Sequence, residues 1–134
     1  IDDYAHHPNE ISAALSSIKN RYPDYRYTAI FQPHLYTRTR DFAPEFAEAL
    51  SMVDRLILLD IYPARELPIP GVTSQIIFDD VTAPEKVLIR KDELLDYLKD
   101  ETLGEKEVFV TLGAGDIDRL VGPLAQMLTE KHDR

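Results

Sequence analysis

The sequence predicts an α/β fold of three layers, in which a mainly parallel sheet is covered by helices on both faces. Three observations carry this reading. Short aliphatic and β-branched runs alternate with longer segments of helical spacing, the pattern left by βαβ units. One run, Leu56-Ile57-Leu58-Leu59, is apolar at every position rather than every second one, as a strand buried on both faces requires. Polar residues capable of chemistry gather directly after the runs, where strands of an open α/β sheet end beside a ligand.

Taken in order, Ile1-Asp2-Asp3 reads as the end of a strand whose earlier part lies upstream. Pro8 suits the first turn of a helix, Ile11, Ala14, Leu15 and Ile18 fall on one face, and the pattern stops before Pro23. Tyr27 to Phe31 is the next strand, followed by a helix from about Asp41 to Met52 with Phe42, Phe46, Ala49 and Leu50 on its buried side. After the Leu56 to Leu59 strand, the stretch from Ile61 to Gly71 holds three prolines and a glycine and should be an ordered, irregular loop. A weaker helix after Thr73, a strand at Val87 to Ile89, a helix from Asp92 to Leu98 and a strand at Val108 to Leu112 follow. A closing helix is expected from about Ile117 to Glu130.

With 134 residues and 44% hydrophobic content, the chain can bury one core, so residues 1–134 are read as one domain. A net charge of -9, from 15 basic and 24 acidic side chains, opposes binding to a phosphate backbone, so nucleic acid is not an expected partner. No apolar run approaches the roughly 18 residues of a membrane helix, so no membrane association is expected and the cytoplasm is the default compartment. The absence of cysteine excludes disulfides, thiolate metal sites and cysteine nucleophiles.

Chemistry collects in four segments after strands: Asp2-Asp3-Tyr4-Ala5-His6-His7-Pro8, Gln32 to Arg40, Asp60-Ile61-Tyr62-Pro63, and Gly113-Ala114-Gly115-Asp116. In the first, a carboxylate could accept ribose hydroxyls and a histidine could contact phosphate. Equally, Asp2 and Asp3 could cap the turn into the first helix, and His6, His7 and His34 carry ligand types that suit zinc, although no helical histidine spacing unites them. Arg38 and Arg40, interleaved with Thr37 and Thr39, suit a carboxylate or phosphate near a helix start; the competing reading is a solvated basic turn balancing Asp41, Glu45 and Glu48. The glycine turn lacks the Lys-Ser/Thr of a phosphate-binding loop and no such loop occurs elsewhere in the chain, so ATP chemistry would need another domain.

Read together, Asp-Asp-Tyr-Ala-His-His-Pro, Phe-Gln-Pro-His-x-Tyr-Thr-Arg-Thr-Arg-Asp, Leu-Leu-Asp-Ile-Tyr-Pro-Ala and Gly-Ala-Gly-Asp-Ile resemble the C-terminal domain of the UDP-N-acetylmuramate:L-alanine ligases of the Mur ligase family, from residue 2 to about residue 125. The resemblance implies a Rossmann-like third domain that closes over the site of a three-domain enzyme. Such an enzyme uses ATP and Mg2+ to join L-alanine to the lactyl carboxylate of UDP-N-acetylmuramate through an acyl phosphate, in peptidoglycan synthesis. The ATP and Mg2+ would be held mainly by the central domain, and this chain would pack against its own N-terminal and central domains and be inactive alone. Transferred by motif position, Asp3 faces the nucleotide, Tyr4 and His6 line the reaction centre, and His34 and Arg38 belong to the amino-acid-binding segment, Arg38 meeting the alanine carboxylate. No metal ligand is implied. Many members carry arginine where this chain has Leu35, which leaves Arg40 or another domain to supply a second cation.

Two rival readings are distinguishable. A murein tripeptide ligase would perform the same bond formation with a peptide. A receiver-type signalling domain would use Asp2, Asp3 and Asp60, but it needs a lysine after the last strand, where Gly113 to Gly115 stand.

Overall fold

The computed structural model describes residues 2–3, 7–63, 65–98 and 107–113. Five strands, β1 (Asp2–Asp3), β2 (Arg26–Phe31), β3 (Arg55–Leu58), β4 (Glu85–Leu88) and β5 (Glu107–Leu112), alternate with helices α1 (Pro8–Arg21), α2 (Tyr36–Leu50), α3 (Gln75–Phe78) and α4 (Leu94–Leu98). All pairings are parallel and the sheet order is β1-β5-β2-β3-β4. The closing helix, the Ala114 to Asp116 turn, Tyr4 and His6 lie outside the described residues.

The period-two geometry of the strands divides the core in two. Tyr27, Ala29 and Phe31 of β2, Leu56 and Leu58 of β3, and Val108, Val110 and Leu112 of β5 face one layer, where they meet Ile11 and Leu15 of α1 and Phe46 and Leu50 of α2. Ile30, Ile57, Leu59 and Phe109 face the other and meet Leu94 and Leu98 of α4. Helices therefore cover both faces, which is why β3 is buried at every position.

Helix α1 begins at Pro8, whose missing N–H costs nothing in a first turn, and it buries Ile11, Leu15 and Ile18. The segment expected to form one helix from Asp92 instead starts as a 3-10 turn over Lys91–Glu93 before α4. There the Asp60 Oδ1 accepts the Lys91 amide at 2.9 Å, so the end of β3 anchors the turn after β4.

Helix α2 departs most from expectation. It starts at Tyr36 rather than near Asp41, and bends at Phe42 (φ -124, ψ 17), two residues before Pro44. A proline cannot donate into the preceding turn and its ring crowds the carbonyl four residues back, so a kink there has a local cause. Phe42 is half-buried at the bend, with its ring 4.9 Å from that of His7, while Phe46, Ala49 and Leu50 are buried as expected.

Candidate functional site: the rim beyond β2 and β3

The chain leaves β2 and β3 side by side and the two exits are stitched together. His34 and Tyr62 form an isolated parallel bridge, the Tyr62 amide donates to the Pro33 carbonyl at 2.8 Å, and the Leu35 amide donates to the Tyr62 carbonyl at 2.9 Å. Their rings stack, with centroids 5.7 Å apart and planes 15° from parallel. Between them Leu35 adopts φ 73, ψ 140, a region sparsely populated by residues other than glycine that costs about 1–3 kcal/mol and persists only where neighbours impose it.

The imposing neighbour on the helical side is Glu66, in the proline-rich loop. Its Oε1 accepts the Tyr36 amide at 2.6 Å and the Thr37 amide at 3.1 Å, and its Oε2 accepts the Thr37 hydroxyl at 2.6 Å. The carboxylate thus satisfies donors that a helix start leaves open, a task usually given to the residue just before the helix; Leu35 in that position has no side chain able to do it. The hydroxyl of Thr37 first, and then the two amides, hold the Glu66 carboxyl below its ordinary range.

One turn into the helix, Arg38 Nη1 lies 3.2 Å from His34 Nδ1. A guanidinium only donates, so the ring nitrogen accepts. The pair turns a flexible cation into an oriented one on the rim, with Arg38 half-buried. Arg40 is separate. It is exposed and bonded through Nε to Asp41 Oδ1 at 2.9 Å, and that hydrogen bond raises its pKa and lowers that of Asp41.

Of the residues singled out in the sequence, His34 and Arg38 come together, Arg40 is tied to Asp41, and the backbone of Asp3 ends β1 opposite Leu112 of β5. Gly113 follows β5 with φ 145, a conformation that side chains rarely adopt. Two features were not singled out. Glu66 left no local signal, because it caps a helix some thirty residues away in sequence. A cavity of about 360 Å³ between the ends of β3 and β4, lined by Tyr36, Asp60, Ile61, Ser74, Leu88 and Arg90 among others, arises only from the packing of loops.

The chain matches the family described as Mur ligase, glutamate ligase domain, over residues 1–115. It belongs to that family. Among curated relatives of this Mur ligase domain, it is 58% identical over 131 residues to a UDP-N-acetylmuramate–L-alanine ligase of Parabacteroides distasonis, covering 98% of this chain and 28% of that protein. It is 56% identical over 128 residues to the same-named protein of Porphyromonas gingivalis, covering 96% and 28%. The Mur ligase domain described above therefore spans 28% of the length of these relatives. Among solved structures, the UDP-N-acetylmuramate–alanine ligase of Thermotoga maritima superposes with a TM-score of 0.73 at 27% identity, over 97% of this chain and 26% of that one. A murein peptide ligase of Psychrobacter arcticus shares the fold, with a TM-score of 0.71 at 16% identity over 94% of this chain and 26% of that one.

Proposed function

We propose that this chain is the third domain of an ATP-dependent ligase that joins L-alanine to UDP-N-acetylmuramate in the cytoplasm, and that its rim closes over the amino-acid side of the reaction. The observation that carries the reading is the His34–Arg38 pair, an oriented guanidinium at the carboxyl ends of parallel strands. Relatives at up to 58% identity named for L-alanine support that amino acid over a murein tripeptide.

In this reading the Arg38 guanidinium meets the alanine carboxylate in charge-assisted hydrogen bonds, and His34 holds it at the required angle. Fixing the carboxylate aims the amine at the activated lactyl carbonyl, so this chain contributes positioning. Asp3 and His6 face the nucleotide, Tyr4 and His6 line the reaction centre, and Arg40 is the second cation to test. The chain has no phosphate-binding loop, and among the described residues no group of three His, Asp or Glu could hold a metal ion. ATP phosphates and Mg2+ would be held mainly by the central domain of the enzyme.

The test uses the full-length ligase. Phosphate release requiring UDP-N-acetylmuramate and L-alanine together is expected. Release driven by a murein tripeptide but not by L-alanine would replace this reading with the tripeptide ligase.

A further inference from the structure

Tyr62 and Glu66 do more than lie on the connection from β3 to α3, because both bond the backbone at the entry to α2, where Thr39 also donates its hydroxyl to the Leu35 carbonyl at 2.8 Å. The connection supplies the Tyr62 carbonyl to Leu35 on one side and the Glu66 carboxylate to Tyr36 and Thr37 on the other. Glu66 is itself held in a turn, its amide donating to the Pro63 carbonyl at 2.9 Å. The two residues that form the rim pair, His34 and Arg38, flank the clamped peptide on either side. Leu35 would leave its φ of 73 if the clamp opened, and any rotation there changes the angle between His34 and the first turn of α2.

We propose that Glu66 is a positioning residue for amino-acid recognition: by capping α2 from the proline-rich loop it holds Leu35 in its strained conformation and thereby sets the Arg38 guanidinium. It touches neither substrate nor nucleotide in this scheme. The proposal rests on the reading that Arg38 receives the alanine carboxylate, and its effect is confined to that substrate.

The test compares Glu66→Ala and Glu66→Gln in the full-length ligase, with steady-state kinetics and hydrogen exchange of the peptide spanning residues 34–41. Glu66→Ala should raise the KM for L-alanine by about fivefold or more while kcat and the KM for ATP change by less than about twofold. Amide exchange at Tyr36 and Thr37 should speed up. Glu66→Gln keeps one acceptor oxygen for the two amides, and its amino group can donate to the Thr37 hydroxyl, so it should recover most of the loss. Adding Leu35→Gly to Glu66→Ala should restore part of the alanine affinity, since glycine holds the strained conformation at little cost. A merely structural role would lower the melting temperature without splitting the two KM values. Faster exchange with an unchanged KM for L-alanine overturns the positioning role, and unchanged exchange overturns the clamp. An Arg38→Ala variant with normal L-alanine kinetics overturns the underlying carboxylate reading instead, whatever the exchange shows.

Discussion

Arg38 Nη1 sits 3.2 Å from His34 Nδ1, and because arginine has no acceptor the contact settles which ring nitrogen is bare. The His34 imidazole is expected to be the neutral tautomer with its proton on Nε2. Nitrogen chemical shifts of the labelled ring at neutral pH check this, and a proton on Nδ1 would mean that the pair does not exist in solution.

Removing the cation tests its role directly. A charge-assisted hydrogen bond is worth about 1.5–3 kcal/mol, so Arg38→Ala in the full-length ligase should lower kcat/KM for L-alanine by roughly ten- to more than a hundredfold, with ATP and sugar saturation nearly unchanged. With leucine at position 35 little redundancy masks the loss, and Leu35→Arg should restore part of it. A defect under about threefold would move the carboxylate to another partner, with Arg40 the first to examine.

Acid should loosen the α2 entry in a defined direction. The Thr37 hydroxyl, followed by the Thr37 and Tyr36 amides, lowers the folded pKa of Glu66 below its ordinary value. Its stabilising contribution is therefore present in full above the ordinary carboxylate range and is lost as pH falls through the depressed folded value. Glu66→Gln should flatten the acid limb of a melting-temperature profile while leaving the neutral region little changed. Parallel acid limbs for the two proteins would remove Glu66 from the titration.

Packing between the layers makes a further demand. Phe46 is fully buried, and its ring centroid lies 5.4 Å from that of Phe31. Truncation to alanine leaves both a transfer loss and a cavity, together costing about 3–5 kcal/mol. Chemical denaturation of Phe46→Ala measures this, and a loss below about 1 kcal/mol would show that the α1–α2 layer closes over the gap.

What the sequence made legible follows from the range of the forces involved. The strands were readable because burial on two faces writes an unbroken apolar run, as in Leu56 to Leu59, and α1 because Pro8 and the spacing of Ile11, Leu15 and Ile18 act within one turn. The start of α2 was misplaced because no residue near Tyr36 caps it; the cap is Glu66, reached only when two loops meet. The left-handed Leu35 is invisible for the same reason, since nothing in a leucine predicts positive φ. Arg38 stood out by residue type, but only the fold separates it from Arg40 by giving one a histidine and the other an aspartate.

The order of the sheet has a consequence for biosynthesis. Strand β5 is the last of the five in sequence, yet it lies between β1 and β2 and pairs with β2 along its whole length, from Arg26 opposite Glu107 to Phe31 opposite Leu112. On a ribosome, β2, β3 and β4 can assemble while the inner edge of β2 has no partner. That edge presents unpaired backbone N–H and C=O groups on a strand whose Tyr27, Ala29, Ile30 and Phe31 are all buried in the finished protein, and such an edge is a template for a second chain. A nascent chain halted before Glu107 would leave that edge open to a second chain, and the arrival of one late strand closes it.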